Sequence, residues 1–319
     1  MKKVLSVLFI LVVAFALFAE GRTESNKFVV GITTYSTETV FSRNARECLK
    51  EYITAAGGRY IDNVATNHLD RATAVENFIA QGVDAIILLS GDVAEVEETL
   101  KEAKSKGIVL GSCDGGIVDC IDIYASSDNF KIGQQVVTEL MKAMNMKGNI
   151  LKIYSNNGSM DRARQAGGAD VLSIPVKKGG GECEIKYLLH YIWPDYFEDC
   201  KQRTAAFLLA NDDIDGIFAT FDGVGLAALQ AVKESGKTIP VVGVDGDPEA
   251  LNEIADPDSC FVATVIQSWT ACAQVVVDNI FSKLNGGNIA LQSVQVPGIL
   301  VTKENVLEVK AKYPDLFVL

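Results

Sequence analysis

Gly82-Val83-Asp84-Ala85-Ile86-Ile87-Leu88-Leu89-Ser90 is the stretch that decides the fold. Gly82 follows an amphipathic segment, where a helix ends most easily on a residue without Cβ. Val83-Asp84 turns the chain, and Ala85 to Leu89 offers no polar face at all. A strand that is apolar on both faces belongs in the middle of a parallel sheet with helices on either side. Working outward, the same unit recurs. Short apolar runs at 28–34, 85–90, 108–113, 150–154, 185–190, 214–220 and 239–245 read as buried strands. Helical periodicity fills the intervals at 47–56, 72–81, 93–106, 132–144, 204–210, 225–234 and 271–284. Gly57-Gly58, Gly107 and Gly236 again close helical stretches. Strand and helix alternating in this way form right-handed βαβ units, so the expected class is α/β with doubly wound parallel sheets.

The alternation fails in three places. Near Tyr124-Ala125-Ser126-Ser127-Asp128-Asn129 a short strand runs straight into a polar turn and a new helix, and similar irregularities fall at 263–268 and 294–301. Three crossings between two sheets are the expected consequence. The chain of 319 residues is in any case long for one core and suits two domains of about 150 residues. The expected limits are 27–127 plus 268–293 for an N-terminal lobe and 128–267 plus 294–319 for a C-terminal lobe. Before them, Met1-Lys2-Lys3, a charge-free run over 4–18 and Ala19-Glu20-Gly21 have the form of a cleaved secretory signal over 1–21. The apolar run is shorter than the roughly 20 residues a spanning helix needs, so release into the periplasm is expected.

Composition excludes several classes of function. A net charge of −12 repels phosphate backbones, and no basic stripe opposes it, so nucleic acid is not an expected partner. Seven cysteines show no CxxC, and two histidines, His68 and His190, lie far apart, so neither a metal nor any other cofactor is expected. Gly179-Gly180-Gly181 precedes Glu182-Cys183 rather than joining a strand to a helix, and no phosphate loop or nucleophile elbow is present, so the chain is not read as an enzyme.

In open parallel sheets ligands sit beyond the carboxyl ends of the strands. The residues there are Tyr35-Ser36-Thr37-Glu38 and Phe41, Asp114, the segment 158–164 ending in Arg164, Tyr196, Phe221-Asp222, Asp245, Gln267 and Trp269. Carboxylates, a guanidinium, an amide and aromatic rings suit a sugar. Planar charged groups fork onto neighbouring hydroxyls and rings cover the C–H face.

Eight stations in order carry a family resemblance. They are 82–88; Gly107-Ile108 with Asp114; Ser127-Asp128-Asn129 with Gly133; 162–167; Asp195-Tyr196; 222–231; Val242-Gly243-Val244-Asp245-Gly246; and 263–267. With them the mature chain resembles the ribose- and galactose-binding branch of the periplasmic sugar-binding proteins, whose fold is also that of the lactose-repressor core. The resemblance implies ligand contacts at Phe41, Asp114, Arg164, Tyr196, Phe221, Asp245 and Gln267, with Phe41 and Tyr196 stacking. Trp193 and Trp269 are further walls, and Asp222 is expected to cap the helix it begins. It implies a monomer that closes on a small neutral sugar or polyol and delivers it to an ABC transporter permease. The alternative is a sensory receptor that docks on a membrane receptor with a sugar or furanosyl signal. Two departures bear on the ligand. Gly115 stands where ribose-type members carry Arg, and Phe221 where they carry Asn. The Asn-x-Pro-Phe-Phe opening of those members is here Thr37-Glu38-Thr39-Val40-Phe41. Lost hydrogen-bonding groups point to a ligand with a larger apolar face, or fewer hydroxyls in reach, than ribose.

Overall fold

The computed structural model describes residues 28–37, 39–193 and 195–318. The signal segment 1–21, the expected lobe start at 27, and Glu38 lie outside them. The first sheet is built from β1 (Val29–Tyr35), β2 (Arg59–Ala65), β3 (Ala85–Leu89), β4 (Val109–Cys113) and β5 (Ile123–Ser127), with α1 (Val40–Ala55), α2 (His68–Ala80) and α3 (Glu97–Ser105) between them. The second holds β6 (Lys147–Tyr154), β7 (Glu182–His190), β8 (Gly216–Ala219), β9 (Val241–Val242) and β10 (Phe261–Ile266). Its helices are α4 (Asn129–Ala143), α5 (Ser159–Leu172), α6 (Tyr196–Ala210), α7 (Asp222–Ser235) and α8 (Pro248–Ala255). The chain then makes α9 (Trp269–Leu284), β11 (Ser293–Val296), β12 (Ile299–Thr302) and α10 (Val306–Lys312).

Strand order is β11-β5-β4-β3-β1-β2 in one sheet and β12-β10-β9-β8-β6-β7 in the other, the same winding twice. All pairings are parallel except β10 with β12. The β3 run shows why no polar face was needed. Ala85, Ile87 and Leu89 enter the core layer under α1 and α9, whereas Ile86 and Leu88 enter the layer on the opposite face.

The chain passes between sheets three times: from β5 to α4, from β10 to α9, which packs on α1, β4 and β5, and from β11 to β12. The last passage lies at Pro297-Gly298, because Val294, Gln295 and Val296 still pair with β5. It falls a few residues beyond the 293/294 limit read from the sequence, since a half-exposed edge strand of four residues carries no apolar signature.

Elements that escaped the sequence reading share a cause. β2 is an edge strand whose polar residues bind neighbours, Asp62 taking Arg46 and Lys50. α5 is nearly even in polarity around its circumference and carries Gly167-Gly168, poor helix formers. Those glycines are there for close approach. A Cβ on Gly167 would stand 1.9 Å from the carbonyl oxygen of Phe130, and one on Gly133 would stand 2.0 Å from that of Arg164. α4 and α5 therefore touch backbone to backbone.

Gly133→Ala should force the two helices apart and destabilise the protein by roughly 2–3 kcal/mol, the upper range for an overpacked core. Its melting temperature should fall by about 5–10 °C. An unchanged thermal transition would show that the helix contact is soft.

Candidate functional site

Both sheets have their switch points, β1/β3 and β6/β8, where successive crossovers leave on opposite faces and a crevice opens at the strand ends. The two crevices face one cavity of about 110 Å³. From the first lobe come Tyr35 at the end of β1, Thr39, Phe41 and Ser42 at the start of α1, Ser90 and Gly91 after β3, and Asp114 after β4. Thr39 caps α1 by accepting from the Ser42 N–H, and Ser42 Oγ meets Ser90 Oγ at 3.0 Å, which fixes the Phe41 turn against β3. The second lobe supplies Ser155, Asn157, Asp161 and Arg164 around α5, Tyr191 and Trp193 after β7, Phe221 after β8, Asp245 after β9 and Gln267 after β10.

The polar floor is one connected network. Arg164 donates from Nε to Asn129 Oδ1 (2.8 Å), from Nη1 to the Thr220 carbonyl (2.7 Å) and from Nη2 to Asp245 Oδ1 (3.3 Å). Gln267 Nε2 donates to the same Asp245 oxygen at 2.7 Å. In the other direction, Asn129 and Ser126 donate to Asp114 Oδ1 at 3.3 and 2.6 Å. Asn129 sits at the first interlobe passage, so the network runs from one lobe to the other through it. Over the cavity, Arg162 of α5 pairs with Asp92 of the first lobe at 2.5 Å.

Burial dominates the electrostatics. Asp114, Asp161 and Asp245 all titrate above the usual carboxylate range because burial disfavours their charge, with Arg164 opposing in each case. Burial alone would weaken the Arg164 cation, but Asp245, Asp114 and Asp161 hold its pKa above the ordinary value.

Of the seven residues expected from the sequence, Phe41, Asp114, Arg164, Phe221, Asp245 and Gln267 line the cavity, and Tyr196 does not. Tyr196 lies behind Trp193, stacked at 5.2 Å, and meets the edge of Phe221 at 5.0 Å. Trp193 precedes it in the loop and takes the inner position. Trp269 packs on the first-lobe core instead of the cavity. Asp222 is not the cap of α7, a position held by Phe221. Its carboxylate accepts from the N–H groups of Gly246 (2.8 Å) and Asp247 (2.9 Å) and from Thr264 Oγ1 (2.8 Å), clamping the loop that carries Asp245. The sequence reading missed Ser42, Ser90, Ser155, Asn157 and Tyr191, and did not single out Asp161. For Asp161 a signal existed: it precedes Arg164 by three residues, a spacing that puts both on one helix face. Ser90, Ser155, Asn157 and Tyr191 lie in loops with no periodicity to read, and Ser42 lies in the first turn of α1.

A periplasmic binding protein domain model matches residues 30–288, and the chain belongs to that family. Among the curated relatives, it is 28% identical to a xylitol-binding protein of Mycolicibacterium smegmatis over 282 residues, covering 87% of this chain and 78% of the relative. The ribose import binding protein of Bacillus subtilis is 25% identical over 250 residues, 75% of this chain and 77% of that one. Among solved structures, an ABC transporter solute-binding protein from Agrobacterium vitis with bound allitol superposes with a TM-score of 0.83 at 25% identity, covering 90% of this chain and 99% of that one.

Asp222 provides a check that does not depend on ligand, since it is fully buried within one lobe. Burial first, then the charge of Asp245, pushes its pKa up to about 7. A carboxyl raised in the folded state adds stability that is complete below its unfolded value near 3.9 and is lost as pH rises through about 7. The protein should therefore melt higher at pH 5.5 than at pH 8, and Asp222→Asn should flatten that slope. Equal slopes in both proteins would remove Asp222 as its source.

Proposed function

We propose that the protein is the secreted capture component of an ABC importer, which closes on one small sugar or polyol and passes it unaltered to a membrane permease. One observation carries this reading: a cavity between the carboxyl ends of two sheets, with charged and aromatic residues contributed by both lobes. The xylitol-binding relative and the allitol-bound neighbour support a polyol in particular.

In this reading residues 1–21 direct export to the periplasm and are removed, and the mature protein acts as a monomer. The two lobes turn about the three passages near 127–129, 267–268 and 297–298. Phe41, Asp114, Arg164, Phe221, Asp245 and Gln267 hold the ligand, together with Trp193 in the stacking role first expected of Tyr196. Closure desolvates the ligand between forked hydrogen bonds and ring faces and presents a composite surface of both lobes to the permease.

A thermal-shift panel of tetritols, pentitols, pentoses and hexoses tests the reading, because ligand at 100 times its dissociation constant adds about 2.7 kcal/mol to stability. The best ligand should also reduce the radius of gyration in small-angle scattering. Arg164→Ala and Asp245→Ala should each weaken its binding by about 2–5 kcal/mol, since truncating one side of a buried charged pair strands the other. Undiminished affinity in calorimetry, with a cooperative melt retained, would remove those residues from the site.

A further inference from the structure

The two lobes also touch away from the passages that join them. Asp92, beyond β3, meets Arg162 in the first turn of α5, and beside them a Cβ on Gly116 would stand 2.7 Å from Ser159 Oγ. Sheet order locates this contact. β3 lies two strands from β5, and β6, which leads into α5, lies three strands from β10. At about 4.8 Å per strand, the contact stands roughly 10 and 14 Å from the strands where the chain leaves one lobe for the other. Asp114 and Asp245 follow β4 and β9, the immediate neighbours of those strands, so the polar floor is nearer the passages than the Arg162–Asp92 pair is.

Each partner is held by its own lobe. Asp92 Oδ1 accepts from the Ala94 N–H at 3.0 Å, capping the short turn of helix Val93–Val96, and leaves Oδ2 for Arg162. Arg162 Nη1 donates to the Asn156 carbonyl at 2.7 Å and leaves Nη2 for Asp92 at 2.5 Å. Two side chains ordered in this way lose little rotamer freedom on pairing, which is the cost that makes most surface ion pairs weak. The Arg162 side chain is 47% exposed, so the pair remains within reach of salt. The buried Arg71 guanidinium, its Nε and Nη1 unpartnered, stands against Gly91 and feels the charges of Glu95 and Asp92. Removing the Asp92 charge would disturb Arg71 as well, so Arg162 is the partner to vary.

We propose that Arg162 and Asp92 are positioning residues that select ligands by size, because the pair closes only over a ligand that lets the strand ends of the two lobes come fully together. The proposal rests on the sugar or polyol reading above and specifies what closure discriminates. When the lobes turn about the passages, a given angle of opening moves the pair further than it moves the polar floor. A ligand slightly too long keeps its bonds to the floor and still parts Arg162 from Asp92, whose attraction falls steeply once water and salt come between them.

The test is stopped-flow dissociation, followed by tryptophan fluorescence since Trp193 lines the cavity, together with calorimetry. The ligands are erythritol, ribitol, xylitol, allitol, perseitol, ribose and glucose, and the proteins are wild type, Arg162→Gln and Arg162→Lys. The best binder should leave the wild type about three- to fivefold faster at about 0.5 M than at about 0.02 M salt, the range of an ordered ion pair, and at one rate in Arg162→Gln. These ligands carry no charge for salt to screen, so the effect isolates the pair. Arg162→Gln should lower the preference for the best binder over the next longer member by the same factor, and Arg162→Lys, which keeps the charge, should restore most of it. Wild-type dissociation indifferent to salt, or a rate unchanged in Arg162→Gln, would overturn the proposal and leave the sugar or polyol reading standing. A preference unchanged in Arg162→Gln, or perseitol as the best binder, would overturn the selection by size. If no member binds, the sugar or polyol reading fails and this proposal with it.

Discussion

The buried Arg164 guanidinium is the interaction on which the rest of the site depends. A cation removed from water has to find acceptors in the protein, and those of Arg164 come from three elements: Asn129 at the start of α4, the Thr220 carbonyl at the end of β8, and Asp245 beyond β9. Arg164 reaches all three because α5 lies against α4 with only glycine hydrogens between their backbones at Gly133 and Gly167. Asn129 then passes the constraint on, since its amide nitrogen donates to Asp114 in the other lobe. One charge thus sets the spacing of two helices, the ends of two strands and the first passage between lobes.

Backbone conformation shows where this arrangement is held under strain. Ser36, Ser90, Asp114 and Asp245 all have positive φ, at 68°, 57°, 54° and 123°, and each lies at the carboxyl end of a strand bordering the cavity or just beyond it. Such conformations in residues with a Cβ cost on the order of 1–3 kcal/mol and persist where surrounding contacts over-determine them. Asp114 is held by its N–H to the Ala125 carbonyl and by Ser126, and Asp245 by Val265, Gln267 and the Asp222 clamp beneath it. The sharp corners turn the side chains back over the strand ends, so the strain is the means of aiming them.

Gly115 and Phe221, where the family resemblance leads one to expect Arg and Asn, are each accommodated by their neighbours. A Cβ on Gly115 would lie 3.1 Å from Ser112 Oγ, the Ser90 carbonyl and Val93 Cγ1, so a longer side chain there would press on the Ser90 corner. Phe221 is gripped edge-on by Tyr191 at 5.4 Å and Tyr196 at 5.0 Å. An amide in its place would lose that aromatic packing and stand next to rings that cannot bond it. The second lobe accordingly presents an aromatic wall above a polar floor, and Tyr196 belongs to the support of that wall.

What the sequence determined by itself was whatever is written in local periodicity. Apolar runs such as 85–89 specified central strands, glycines marked helix ends, and strand-end residues such as Asp114, Asp245 and Gln267 were legible as cavity residues because a parallel sheet always exposes its carboxyl ends. Edge strands such as β2 and β11, the glycine-rich helix α5 and the loop residue Tyr191 were not, because half-exposed or irregular segments carry no period. Tertiary structure alone decided which of two rings, Trp193 or Tyr196, faces the cavity, that Asp222 clamps a loop instead of capping a helix, and that Asp161 joins Asp114 and Asp245 around one guanidinium. Those outcomes depend on distances between residues tens of positions apart, set by how closely α4 and α5 approach and how sharply the backbone turns at Asp114 and Asp245, and no local pattern encodes them.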